Sequence, residues 1–167
     1  MDITVAMVKS LRDKTGAGIM DSKRALVEVD GDENKAVEVL REKGLASAAR
    51  RAGRETTEGV IESYIHSGNR VGAIVQLSSE TDFVARTEEF THLAKEIAMQ
   101  VAAMNPKYVD RKSVPDDAGD VPNEDLLMEQ AYIRDPGQTI GDLVKDMAAR
   151  TGENVHIGRF IRYGLGE

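Results

Sequence analysis

Val71-Gly72-Ala73-Ile74-Val75-Gln76-Leu77-Ser78, running on through Ser79-Glu80-Thr81-Asp82-Phe83-Val84-Ala85-Arg86, is the stretch that decides the fold. Its first half repeats every two residues. Val71, Ala73, Val75 and Leu77 alternate with Gly72, Ile74, Gln76 and Ser78, the pattern of a strand with one firmly apolar face. Its second half leads into a helix. Phe90, Leu93, Ala94, Ile97, Val101 and Met104 follow the i, i+3, i+4, i+7 rule, Thr87 is placed to cap the start, and Asn105-Pro106 ends the run. Between the two periods stand an acid and a large aromatic, Asp82 and Phe83, in a chain with only three Phe.

Working outward, Val60 to His66 reads as a partner strand joined through the hairpin turn Ser67-Gly68-Asn69-Arg70. Downstream, Thr139 caps a helix with Ile140, Leu143, Val144 and Met147 inward, closed at Gly152. A last strand, Val155 to Tyr163, places Val155, Ile157, Ile161 and Tyr163 on one face, interrupted by Arg159. Three antiparallel strands packed with helices make residues 53–167 an α+β core domain. Residues 106–125 hold three of the four prolines and several acids, which predicts an irregular, mobile connection.

Upstream, residues 1–52 read as a three-helix N-terminal domain. Val5, Val8 and Leu11 mark the first helix, and Thr15-Gly16-Ala17-Gly18 permits a tight turn after it. A second helix runs from about Ile19 to Val29 with Ala25, Leu26 and Val29 inward. Asp30-Gly31-Asp32 breaks it, and Asp32 is a good N-cap for a third helix that places Ala36, Val39 and Leu40 on one face and stops at Gly44. So few residues make a small core.

Composition narrows the function classes. Apolar residues at 41% and charged residues at 31% describe a globular chain rather than a disordered one. No apolar run approaches the roughly 20 residues of a membrane span, and no secretory leader is visible at the N-terminus. The absence of cysteine excludes disulfides and thiolate metal sites and fits a cytoplasmic address. A net charge of −7 argues against a nucleic-acid partner. The local basic run Arg41, Lys43, Arg50, Arg51 and Arg54 lacks aromatics for base stacking and reads as a solvated helix end or a protein-facing patch. His66, His92 and His156 have no metal-ligand spacing, no serine sits in a G-x-S-x-G elbow, and nothing points to bond-making chemistry or a cofactor.

Two motifs add to this. Ser78-Ser79-Glu80-Thr81-Asp82-Phe83-Val84-Ala85-Arg86 resembles the signature of translation elongation factor Ts, and Leu11-Arg12-Asp13-Lys14-Thr15-Gly16-Ala17-Gly18-Ile19-Met20-Asp21 resembles the N-terminal signature of the same family. The likeness covers residues 1 to about 105 and resumes near the C-terminus, with a shortened middle. It implies a ubiquitin-associated-like N-terminal bundle and a guanine-nucleotide exchange factor for the GTPase elongation factor Tu, bound in its GDP and nucleotide-free states. It further implies that Thr81, Asp82, Phe83 and Val84 disturb the partner's Mg²⁺ site, while Leu11, Arg12, Thr15, Gly16, Ala17, Gly18, Ile19 and Met20 dock on the GTPase. Short members resemble homodimers built by sheet-to-sheet packing.

From the residues alone, other readings stand beside these. Asp82 as a helix cap and Phe83 as a core residue is the ordinary fate of both types. Plain helix-turn-helix packing accounts for Leu11 to Met20, with Ile19 or Met20 in the core. Gly16-Ala17-Gly18 lacks the full phosphate-loop pattern and follows no strand. A helical-bundle adaptor that binds a partner without catalysing exchange is the alternative function.

Overall fold

The computed structural model describes residues 2–167. Three helices come first: α1 (Val5–Thr15), α2 (Ile19–Glu28) and α3 (Glu33–Arg51). Side-chain caps start α1 and α3: Thr4 accepts from the Met7 N–H and Asp32 from the Lys35 N–H. Val8, Leu11, Ala25, Leu26 and Ala36 form the bundle's interior, with Val29, Val39 and Leu40 packed around them. Val5 stands outside, 86% exposed. Residues spaced by three drift by about 60° per step around a helix with 3.6 residues per turn, so Val5 leaves the stripe that Val8 and Leu11 share.

The expected stop of α3 at Gly44 is corrected by the structure, for the helix runs on to Arg51. Gly44 serves close approach instead: a Cβ there would stand 3.1 Å from the Cβ of Ala149 on the facing helix. That helix is α6 (Ile140–Thr151), and the second half of α3 lies on it. Ala48 enters the core of the α+β unit. Arg51 donates through Nη1 to the Ser47 hydroxyl at 2.6 Å and through Nη2 to the Ala148 carbonyl at 3.1 Å. Arg41 pairs with Asp146 at 3.7 Å. Tertiary packing overrides glycine's poor helix propensity here.

The sheet has the order β1-β2-β5, wholly antiparallel, from β1 (Glu58–Ile65), β2 (Val71–Ser79) and β5 (His156–Gly164). On one face Ala73, Val75 and Leu77 are buried beneath α5 (Glu88–Met104), whose Phe90, Leu93, Ala94, Ile97, Ala98 and Val101 fill the interior with Ile140, Val144 and Met147 of α6. Thr87 caps α5 and Thr139 caps α6, the latter in a reciprocal box with Asp142.

The face expected for the last strand is also corrected. Leu77 pairs with Ile157 but Gln76 pairs with Arg159, leaving Gly158 as a bulge. One extra residue reverses the inside–outside phase. Ile157 points inward, but Ile161 and Tyr163 lie on the outer face, 46% and 69% exposed. They join Ile61, Ile65 and Ile74 there.

The connection through residues 106–125 has no long element, only single 3-10 turns at Arg111–Ser113 and Asn123–Asp125. It is tied to the molecule. The Asp125 carbonyl accepts from the Lys107 and Tyr108 N–H groups, and Arg111 donates to the Val121 carbonyl and Asn123 side chain, each at 2.7 Å. Leu126 and Leu127 are fully buried. A short hairpin follows, β3 (Ala131–Tyr132) and β4 (Asp135–Thr139). Two buried polar residues of α5 hold it: Gln100 bonds Ala131 and Ile133, and Glu96 accepts from the Tyr132 hydroxyl and faces Arg134 at 2.9 Å. Burial, then the bond to Glu96, pushes the Tyr132 phenol up to about 12.

Candidate functional site

Two turns carry the residues singled out in the sequence. The first joins β2 to the single-turn helix α4 (Asp82–Ala85). Thr81, not Asp82, is the cap: its hydroxyl accepts the Val84 N–H at 3.4 Å. Asp82 pairs instead with Arg86, one helical turn on, at 3.0 Å. Ala85 is buried, and Val84 packs half-buried against the core. The helix thus has an inner face through Val84 and Ala85, which turns Phe83 outward. Phe83 is 82% exposed, so its core reading does not hold. A ring this open is uncommon, for burying it would contribute roughly 1.5–3 kcal/mol.

The second turn joins α1 to α2. Gly16 adopts the left-handed conformation (φ 68°) that lets α1 end sharply, and its N–H donates to the Arg12 carbonyl. The Thr15 hydroxyl donates to the Leu11 carbonyl and accepts from the Ala17 N–H, at 2.7 and 3.3 Å. Arg12, Gly16 and Gly18 are exposed and Thr15 and Ala17 half-buried. Ile19 and Met20 are 59% and 63% exposed. Leu11 is different. It is wholly inside the bundle, so it supports this surface from beneath without reaching it.

A groove of about 800 Å³ runs beside the second turn, between α3 and the end of α6. Most of its cations face acids: Arg24 with Asp21, Lys43 with Glu28, Lys14 with Glu33, Arg41 with Asp146 and Arg150 with Glu89. Of the basic run of the sequence, Arg41, Lys43 and Arg54 pair with Asp146, Glu28 and Glu80, and Arg51 bonds Ser47 and the Ala148 carbonyl, so the run is largely spent on internal ties. The histidines are dispersed: His66 meets Tyr64, His156 meets Thr56, and His92 faces Glu96 at 4.0 Å. Among the described residues no group of three or more His, Asp or Glu stands close enough to hold a metal ion. No described helix is long and apolar enough to cross a membrane.

Sequence reasoning missed the residues that hold the first turn, Glu153 and Asn154. Their bonds to Glu80 and Thr81 span 72 to 74 positions. The one local signal is Gly152, which ends α6 just before Glu153 and Asn154.

Residues 6–124 match the family model described as Elongation factor TS. An Elongation factor Ts of Caldanaerobacter subterraneus subsp. tengcongensis is 46% identical over 195 residues, covering 99% of this chain and 98% of that protein. One from a Thermoanaerobacter species is 45% identical, covering 99% and 96%. One from Carboxydothermus hydrogenoformans is 46% identical, covering 99% and 90%. The alignments run over 195 positions against 167 residues here, so the relatives carry residues with no counterpart in this chain.

Proposed function

Since the chain belongs to the elongation factor Ts family, we propose that it is a guanine-nucleotide exchange factor for elongation factor Tu. It binds the GDP-bound GTPase, speeds GDP release, and holds the nucleotide-free form until GTP enters. It makes and breaks no covalent bond, needs no cofactor, works in the cytoplasm and has neither nucleic acid nor membrane as partner. The observation that carries this reading is Phe83, an aromatic residue 82% exposed on a turn anchored in a buried core.

The target's chemistry explains why such a wedge works. A phosphate-loop GTPase holds GDP through backbone amides and a Mg²⁺ that links phosphate to a protein hydroxyl. That ion demands near-ideal octahedral geometry, so a small shift of one supporting element weakens its hold. In this reading Phe83 enters between elements of the GTPase, Thr81 and Val84 fix the backbone from which it projects, and Asp82 stands at the rim. Burying one Phe contributes roughly 1.5–3 kcal/mol, against about 1.4 kcal/mol per tenfold loss of nucleotide affinity. The wedge thus accounts for one or two decades. The remainder falls to docking by Arg12, Thr15, Gly16, Ala17, Gly18, Ile19 and Met20, with Leu11 as the support below. Linkage requires that bound GDP weaken this protein's grip on its partner by the same factor.

Release of a fluorescent GDP analogue from elongation factor Tu tests the proposal. Exchange predicts a release rate that climbs with added chain to a plateau. A rate unchanged at saturation leaves the adaptor, which binds and does nothing to the nucleotide.

The outer face of the sheet supports a second, compatible reading, a homodimer. Ile61, Ile65, Ile74, Ile161 and Tyr163 form an uncovered apolar surface, and an isologous pair would bury it on both copies. Sedimentation equilibrium showing a monomer alone at micromolar concentration would overturn this.

A further inference from the structure

We infer that Glu153 is a positioning residue for nucleotide exchange, acting through the Phe83 turn; this rests on the exchange reading above. Gly152 closes α6 in the left-handed conformation (φ 72°) and leaves Glu153 facing the end of β2. One carboxylate oxygen, Oε2, accepts the Glu80 N–H at 3.0 Å and the Thr81 N–H at 3.1 Å. The other, Oε1, accepts the Thr81 hydroxyl. The buried Ser79 hydroxyl donates to the Thr81 carbonyl at 3.0 Å. Every polar group of Thr81 is therefore engaged, and the bonds from its N–H and hydroxyl, like that from the Glu80 N–H, end on the carboxylate charge, which makes them the stronger kind.

The neighbouring residue extends the arrangement. Asn154, 6% exposed, donates its backbone N–H to Glu80 Oε1 at 2.6 Å. Its amide donates to the carbonyls of Ala52 and Arg54, at 3.3 and 2.7 Å. Those carbonyls lie just past the end of α3. Glu153 and Asn154 thus bind the wedge turn to the segment leading out of the docking bundle.

The need for such a clamp follows from exposure. Phe83 has almost no packing of its own, so the backbone alone sets the point and direction from which its side chain projects. A wedge that must be ordered on arrival spends association energy on that ordering, and one held beforehand does not. Exchange depends on displacing a supporting element by a small distance, so placement matters to the plateau rate more than to the grip. The bundle supplies the grip.

The first test uses the free chain. In Glu153→Ala, hydrogen exchange at the Glu80 and Thr81 amides should accelerate roughly ten- to a hundredfold, the range for losing bonds to a charged acceptor. Unchanged exchange there overturns the clamp, whatever the chain does to nucleotide. The second test is kinetic. Glu153→Ala should lower the saturating GDP-release rate several-fold, with the half-saturating concentration moving less than about twofold. Glu153→Gln keeps an oxygen for the two N–H groups and should restore most of both readouts. If Glu153→Ala does not fold, Glu153→Asp keeps the charge but falls a methylene short of the turn and carries the same tests. In a Phe83→Ala background the substitution at 153 should add nothing. Rate losses that multiply instead overturn action through Phe83. A wild-type chain that fails to release GDP at all overturns the exchange reading, while the amide measurement still decides the clamp.

Discussion

The two exposed turns of this molecule are held in opposite ways. The turn between α1 and α2 is closed by its own neighbours, with bonds spanning two to four positions, over an interior of five small and medium side chains. The turn between β2 and α4 is held from across the chain, by Glu153 and Asn154. A turn closed locally stands or falls with the packing directly beneath it. A turn held from a distance requires the whole α+β core to have formed, and in return its backbone is fixed from several sides. The first arrangement suits an adaptable docking face with an exposed methionine. The second suits a rigid point.

The sharpest way to break this comparison is to remove the packing under the local turn. Leu11→Ala should cost about 2–5 kcal/mol, as for other fully buried leucines, which a bundle of this size cannot absorb. Amide protection across α1 and α2 should vanish while β2 keeps its own. Weaker association with elongation factor Tu should follow as a consequence of the lost bundle. If protection in β2 falls equally, bundle and core unfold as one unit and the division at residue 52 has no energetic meaning. The overlap of α3 with α6 makes this a real contest.

Next comes Phe83→Ala. A residue this exposed contributes little to its own fold, so the melting temperature should stay within about 2 °C. The plateau rate of GDP release should fall about ten- to a hundredfold. Met20→Ala should act on the other axis, raising the half-saturating concentration up to about tenfold with the plateau kept. Were the two variants to exchange effects, the roles given to the turns would be reversed.

What the sequence made legible follows the same division. Periodicity placed the long helix, the β1–β2 hairpin and the caps at Asp32, Thr87 and Thr139, because each is decided by residues a few positions apart. Short contiguous motifs, Thr15 to Gly18 and Thr81 to Val84, mark both turns. The errors came where distant contacts override a local rule. Gly44 looks like a helix stop until α6 is set against it, and Gly158 looks like an ordinary strand residue until its pairing with β2 exposes the bulge. Glu153 and Asn154 carry no periodic signature at all, being an acid and an amide after a helix. The β3–β4 hairpin was hidden for a similar reason: Gln100 and Glu96, polar residues inside a helix, hold it.

A smaller effect distinguishes the two halves by acid. Asp32 caps α3 in the bundle and Asp142 belongs to the cap of α6 in the core, and backbone hydrogen bonds, from Lys35 and Thr139 respectively, hold both carboxyls below the ordinary aspartate value. A depressed native value means that the unfolded chain takes up protons first as pH falls. Stability is therefore fully present above about 3.8 and is lost as pH drops from there through the native values. Asparagine accepts the same capping bond without titrating. Asp32→Asn should leave stability at neutral pH nearly unchanged and flatten the acid loss of amide protection in α1 and α2 alone. Asp142→Asn should flatten it in α6 and the sheet. An acid response shared equally by both regions in both variants would mean that α3, lying across the two cores, couples them more tightly than their separate interiors imply.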